Sequence, residues 1–357
     1  MRHTPKNILK TYIRSQTSPS GTHHIDKEHF LPSVAYIVDG QIKDFMFDSF
    51  TFLPSPNYVY DFSRPGAPKR EKKKTDWLEY ISCEEFAEGK NIDALNAAVG
   101  EAKAALGRED YRTNVFLSVF YPVSTVTEFG EVEGRVLNFN RPEDQIAALK
   151  WMVDESIRQF EARGYEHITL AGFYWFHESI RETDNTAIHR ALTEYVRSLG
   201  YITIWGPYFG ARGYNFWQEE CGFDMVAMQA NYFPAAPGAP NCGTIERLKQ
   251  TADYTLSHNM GVELEWAGEV GEEMVAVGFK QYMQAGIETG YINSYHYYYI
   301  TFGPNTVHEI YCSKLAHTRS VYDELYGFLQ GTLSAADIVY PHPQSKIHIT
   351  KQEGECI

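Results

Sequence analysis

The chain has 357 residues, with 32 Lys and Arg against 46 Asp and Glu, and a formal net charge of −14 at pH 7 with histidine neutral. Hydrophobic residues at 43% and charged residues at 22% supply a packed core and exclude disorder as the main state. The acidic balance argues against nucleic acid, since binding a polyphosphate needs a basic face that releases counterions.

Residues 1–29 read as an amino-terminal arm. Met1 to Gln16 is basic but has neither an apolar core nor a small-residue cleavage site, so no secretory signal is expected. Two β-rich runs follow, Val34–Val38 and Asp44–Leu53. They are too close for a crossover helix, so one is expected to be an added hairpin strand, with the missing barrel strand elsewhere or absent. Pro54–Asn91 is rich in Pro and charge and is expected to form a wall or lid; its basic run Lys69–Lys74 reads as a solvated loop.

Beyond it, short runs rich in Val, Ile, Phe and Tyr alternate with helical patterns. Strands are predicted at Asn114–Tyr121, His167–His177, Tyr201–Phe209, Phe223–Phe233, Met260–Ala267 and Tyr291–Tyr299. Helices are predicted at Ile92–Leu106, Pro142–Arg163, Asp184–Leu199, Thr244–Ser257, Glu272–Glu288 and Val307–Leu329. Gly107 and Gly164 sit just past two of them, where a left-handed backbone ends a helix. This alternation predicts an α/β fold, a (β/α)8 TIM barrel distorted or incomplete at its first strands, over residues 30–333, with 334–357 as a tail.

No apolar stretch is long enough to cross a bilayer. Cys83, Cys221, Cys242, Cys312 and Cys356 are scattered and never in C-x-x-C, so they read as reduced thiols; cytoplasm is the expected compartment. The sequence carries no signal of oligomeric state.

In such a barrel, polar groups at the carboxyl ends of strands are the candidate site. One apolar run ends on His177-Glu178; another is Gly261-Val262-Glu263-Leu264-Glu265-Trp266. Alternation puts Glu263 and Glu265 on one face, pointing into the barrel, and Val262, Leu264 and Trp266 on the other. Two inward carboxyls are costly to bury, and at least one is expected to hold its proton tightly. Paired carboxyls across a cleft suit glycoside hydrolysis. Asp48, His177, Trp205, Tyr208, Gln229, Asn231, Tyr232, Trp266, Asn293, Tyr295 and His296 are candidate sugar-binding residues, as aromatic faces, amides and hydroxyls at strand ends. Tyr232 is a candidate to orient a carboxylate nucleophile.

Glu178, after the fourth strand, and Glu265, ending the seventh, resemble the acid/base and nucleophile of retaining TIM-barrel glycosidases. Those enzymes carry Asn immediately before the acid/base, where this chain has His177. The pattern from about Phe30 to Leu329, including Phe47-Asp48-Ser49-Phe50-Thr51-Phe52-Leu53, also resembles an uncharacterised bacterial domain family of glycosidase-like barrels. The resemblance implies a retaining hydrolase of glycosidic bonds acting on an oligosaccharide or glycoside. Glu178 would be the acid/base, Glu265 the nucleophile and Glu263 the alternative nucleophile. No organic cofactor is implied. Two rivals share the fold: a barrel that binds carbohydrate without cleaving it, and a metal-dependent lyase or hydrolase using strand-end groups such as Asp48, His177 and His296.

Overall fold

The computed structural model describes residues 4–13, 24–54, 73–180, 186–233 and 243–349. Eight parallel strands close into a barrel: β1 (Asn7–Ile13), β2 (Ser49–Pro54), β3 (Thr113–Val119), β4 (Ile168–Trp175), β5 (Ile202–Trp205), β6 (Met225–Gln229), β7 (Gly261–Trp266) and β8 (His296–Ile300). β1 completes the ring, pairing with β8 on one side and β2 on the other. Around it lie α1 (Lys27–Val34), α2 (Asn91–Leu106), α3 (Pro142–Arg163), α4 (Thr186–Ser198), α5 (Ile245–Ser257), α6 (Glu273–Thr289), α7 (Pro304–Cys312) and α8 (Ala316–Leu329). The fold is a TIM barrel.

The segment read as an arm therefore contains the missing barrel strand. Asn7–Ile13 is a short run with Lys10 and Thr11 inside it and no helical pattern beside it in sequence, so it lacks the βα signature of the other strands. Val34–Val38 and the start of the next run instead form an antiparallel hairpin, Ala35–Val38 with Gln41–Phe45. The predicted helix Val307–Leu329 is two helices, α7 and α8, interrupted at Ser313 to Leu315. Gly107 and Gly164 both take the left-handed backbone, at φ 64° and 60°, and cap α2 and α3.

Of the predicted lid, residues 55–72 lie outside the described residues, as do Lys69 to Lys72 of the basic run. The rest forms a short helix, Lys74–Glu79, running into a π-helical turn, Tyr80–Glu85. Cys83 and Cys312 are exposed and Cys221 is buried, and Cys242 and Cys356 lie outside the described residues. Among the described residues no helix is long and apolar enough to cross a membrane.

Past α8 the chain packs back on the barrel. Gln284 donates to the Ile347 carbonyl at 2.5 Å and its side-chain oxygen accepts from Tyr340 Oη at 2.8 Å and from the Ile347 N–H at 3.3 Å. Lys280 is fully buried and donates to Glu324, to Ser320 and to the Val339 carbonyl.

The strand register fixes which side chains face inward, because paired residues of parallel neighbours share a face. Lys10 pairs with Thr51, Thr51 with Phe116, Ser118 with Tyr174, Tyr174 with Ile204 and Ile204 with Met225. Gln229 pairs with Glu263, Glu263 with Tyr297, and Tyr297 with Ile8, which returns to the face of Lys10. The inner face is thus unusually polar toward the carboxyl ends, while the alternate residues, such as Leu264 and Phe52, pack the fully buried shell under the helices.

Candidate active site

β7 delivers two inward carboxyls. Glu263, 1% exposed, lies deeper, with Lys10 Nζ of β1 at 2.8 Å from Oε1 and 2.6 Å from Oε2. Burial opposes charge on both partners; for Lys10, Glu263 together with Tyr12 and Glu178 outweighs it, so its pKa is raised and the lysine stays protonated. Burial pushes the Glu263 carboxyl up, with Lys10 pulling it back. Gly206, just past β5, makes room for this pair. A Cβ there would lie 2.7 Å from Tyr174 Oη and 3.2 Å from both Glu263 Oε2 and Lys10 Nζ.

Glu265 stands above, at the mouth, and remains buried. Its Oε2 accepts the backbone N–H of Asn231 at 2.6 Å and the hydroxyl of Tyr282 from α6 at 2.7 Å. Burial lifts its pKa to about 7, opposed by the Tyr282 and Asn231 hydrogen bonds and by Lys10, and aided by Glu178. A small recess lined by Tyr232, Phe233, Ala267, Met274 and Val275 opens beside it.

Glu178, two residues beyond the end of β4's apolar run, is exposed, and Gln229 of β6 holds it: Gln229 Nε2 donates to Glu178 Oε1 at 2.7 Å and to the Gly206 carbonyl at 3.0 Å. Asn231, in the left-handed region at φ 50°, places its amide 3.4 Å from Gln229 Oε1 while its N–H serves Glu265. One polar chain, Glu178–Gln229–Asn231–Glu265, therefore crosses the end of β6. Tyr208, 41% exposed, bridges to Gln229 from the end of β5. His177 lies beside Glu178, its Nδ1 accepting the Ser179 N–H at 3.2 Å and its ring 5.4 Å from that of Tyr121.

Other candidates are placed elsewhere. Asp48 precedes β2 and accepts the N–H groups of Lys6 and Asn7 at the start of β1, at 3.0–3.2 Å, so it fastens the amino-terminal face. Asn293 and Tyr295 precede β8 at that same face: Asn293 bonds the Gly290 carbonyl, and Tyr295 Oη meets Val226 at the start of β6. Trp205, Trp266 and His296 occupy outward parity. Trp205 stacks on Phe223 and donates to the His177 carbonyl, Trp266 packs on Phe279 of α6, and His296 lies on Phe328 of α8 and bonds the Tyr291 carbonyl. Burial drives the His296 imidazole down to about 3, so it stays neutral.

Tyr232 does not contact the nucleophile candidate through its hydroxyl, which goes to Gln281; its backbone N–H instead donates to Tyr282 Oη, which holds Glu265. Asp48, His177 and His296, the residues of the metal-dependent rival, lie at one end, at the other end and outside the wall. Among the described residues no group of three or more His, Cys, Asp and Glu is gathered to hold a metal ion.

Sequence reasoning missed Lys10, Tyr12, Tyr174 and Tyr282, whereas Tyr297 and Tyr299 were legible as aromatic groups ending the eighth strand. Alternation in Ile8-Leu9-Lys10-Thr11-Tyr12-Ile13 was the available signal for Lys10 and Tyr12: Ile8, Lys10 and Tyr12 fall on one face and Leu9, Thr11 and Ile13 on the other. Nothing local marks Tyr282, which reaches the site from a helix.

A family described as "Domain of unknown function (DUF4855)" matches residues 16–327. The chain belongs to that family. No curated protein matches this DUF4855 chain. Among solved structures it is similar to xylanase10C from Cellvibrio japonicus, at 12% identity over 80% of this chain and 59% of that one, with a TM-score of 0.39. Xylanase XynB from Paenibacillus barcinonensis, complexed with a conduramine derivative, gives 10%, 82%, 82% and 0.40. A mutant tryptophan synthase α-subunit from Pyrococcus furiosus gives 10%, 91%, 98% and 0.37. The DUF4855 chain thus spans 59% of the length of xylanase10C, and at these identities the likeness concerns the barrel alone.

Proposed function

We propose that this DUF4855 barrel is a glycoside hydrolase acting by a retaining double displacement, with Glu178 as acid/base and Glu265 as nucleophile. The observation that carries the reading is the anchoring of an exposed and a recessed carboxyl, from β4 and β7, to the end of β6: the Gln229 side chain holds Glu178, the Asn231 backbone N–H holds Glu265, and the amides of Gln229 and Asn231 meet at 3.4 Å. Glu178 protonates the leaving oxygen while Glu265 attacks the anomeric carbon; water then cleaves the glycosyl-enzyme, giving its proton to Glu178. Glu265 must be ionised to attack, and its two donors and Lys10 favour that form against burial. Glu263, engaged by Lys10, is the less suited nucleophile. His177, Tyr208, Gln229 and Asn231 supply hydrogen bonds and an aromatic face to the sugar.

The test is a panel of chromogenic glycosides and oligosaccharides with the wild type, Glu178→Gln and Glu265→Gln. Either change is expected to lower kcat/KM by about 10²–10⁴-fold or more with folding intact, and NMR of the first-formed product should show the starting anomer. Inversion would replace the double displacement with direct attack by water. Sugar-dependent melting shifts without turnover would turn the reading to a carbohydrate-binding barrel.

A further inference from the structure

Glu263 and Glu265 stand two residues apart on one strand, so they stack on the same inner face about 7 Å apart along β7. A buried pair of this kind repels itself, and one proton or one cation must relieve it. The barrel supplies a cation from β1. Lys10 is 1% exposed, touches both oxygens of Glu263, and has its Nζ 5.4 Å from the Tyr174 ring centroid. A Cβ at position 206 would crowd this pair, at 3.2 Å from Lys10 Nζ and Glu263 Oε2 and 2.7 Å from Tyr174 Oη.

Lys10, Glu178 and the lower carboxyl of Glu263 are the charged groups facing Glu265. Tyr282 from α6, Tyr12 from β1, Tyr174 from β4, and Tyr297 and Tyr299 from β8 are the neutral titratable ones around the cluster.

We propose that Lys10 is a positioning residue for the Glu265 carboxylate, acting through Glu263: its ammonium takes up the charge of the lower carboxyl, which leaves the upper one free to be the anion that meets substrate. This deepens the hydrolase reading and rests on it for the word substrate, but the charge arrangement itself is independent of any turnover. Its signature is a sign reversal. Losing Lys10 alone leaves Glu265 facing an uncompensated neighbour, whereas losing Glu263 alone turns the ammonium toward Glu265. Losing both removes the two effects together.

The experiment is a carboxyl carbon-13 NMR titration of protein labelled at Glu, with the Glu265 signal assigned by its loss in Glu265→Gln. Lys10→Met is expected to raise the Glu265 midpoint by about one pH unit or more, a tenfold change in proton affinity. Glu263→Gln is expected to lower it, and Lys10→Met with Glu263→Gln to return it to within about half a unit of wild type. Movement of all three in one direction, or no movement in any, overturns the proposal. If Lys10→Met does not fold, Glu263→Gln still decides, because an unchanged or raised midpoint there is incompatible with a redirected ammonium. The readout needs no sugar. The reversal seen in a protein that cleaves no glycoside would keep this assignment and sink the hydrolase reading; turnover without the reversal would do the opposite.

Discussion

Gln229 Nε2 sits 2.7 Å from Glu178 Oε1 and 3.0 Å from the carbonyl of Gly206, so an exposed carboxylate on a loop is tied to the rigid end of a strand. Gln229→Leu keeps the volume and removes both donations. It is expected to lower kcat/KM by about tenfold or more through lost orientation of Glu178. Substrates with poor leaving groups should suffer most, since they depend on the proton; steady-state kinetics across leaving groups measures this.

Tyr282→Phe removes the hydroxyl that favours ionised Glu265. The carboxyl then holds its proton more tightly, and under the proposed double displacement, in which Glu265 must be ionised, the acid limb of kcat/KM should move upward. Stability gives a second check of sign. A carboxyl raised from 4.5 to about 7 in the folded state contributes stability present below 4.5 and lost as pH rises through 7. Glu265→Gln lacks this titration, so it should gain on the wild type between pH 4.5 and 7, by about 3 kcal/mol at most, and then run parallel in denaturant melts.

Asp48 accepts backbone N–H groups at the amino-terminal face, far from the mouth. Asp48→Ala should cost about 1–3 kcal/mol of stability by leaving the N–H of buried Asn7 unpaired, while kcat/KM at a permissive temperature stays near wild type. Loss of activity at full stability would return Asp48 to the site.

Gln284 makes three hydrogen bonds to the segment after α8. Gln284→Ala is expected to speed amide hydrogen exchange at Tyr340 to Ile347, at a cost of about 1–3 kcal/mol, with the barrel strands unaffected.

Much of the barrel was legible because a buried parallel strand and an amphipathic crossover helix leave opposite periodicities, and seven strands announced themselves that way. Asn7–Ile13 did not, since its inner face carries a lysine. Parity explains the site errors. With β8 running from His296 to Ile300, Tyr297 and Tyr299 face inward, so His296 faces out, and Asn293 and Tyr295 precede the strand altogether. Trp205 and Trp266 were at the right strand ends but on the wrong side of them. Glu263 and Glu265 read correctly as inward because their strand had a clear apolar alternate face. The partner of Glu265 on α6 was illegible, since a contact between a helix and a strand end leaves no spacing rule in the chain.

The ammonium of Lys10 and the carboxylate it meets are separated by 253 positions in sequence. Joining them requires β1 to slot between β2 and β8, the final seam of the ring. The strand that completes the cylinder is therefore also the one that brings Glu263 its counter-charge.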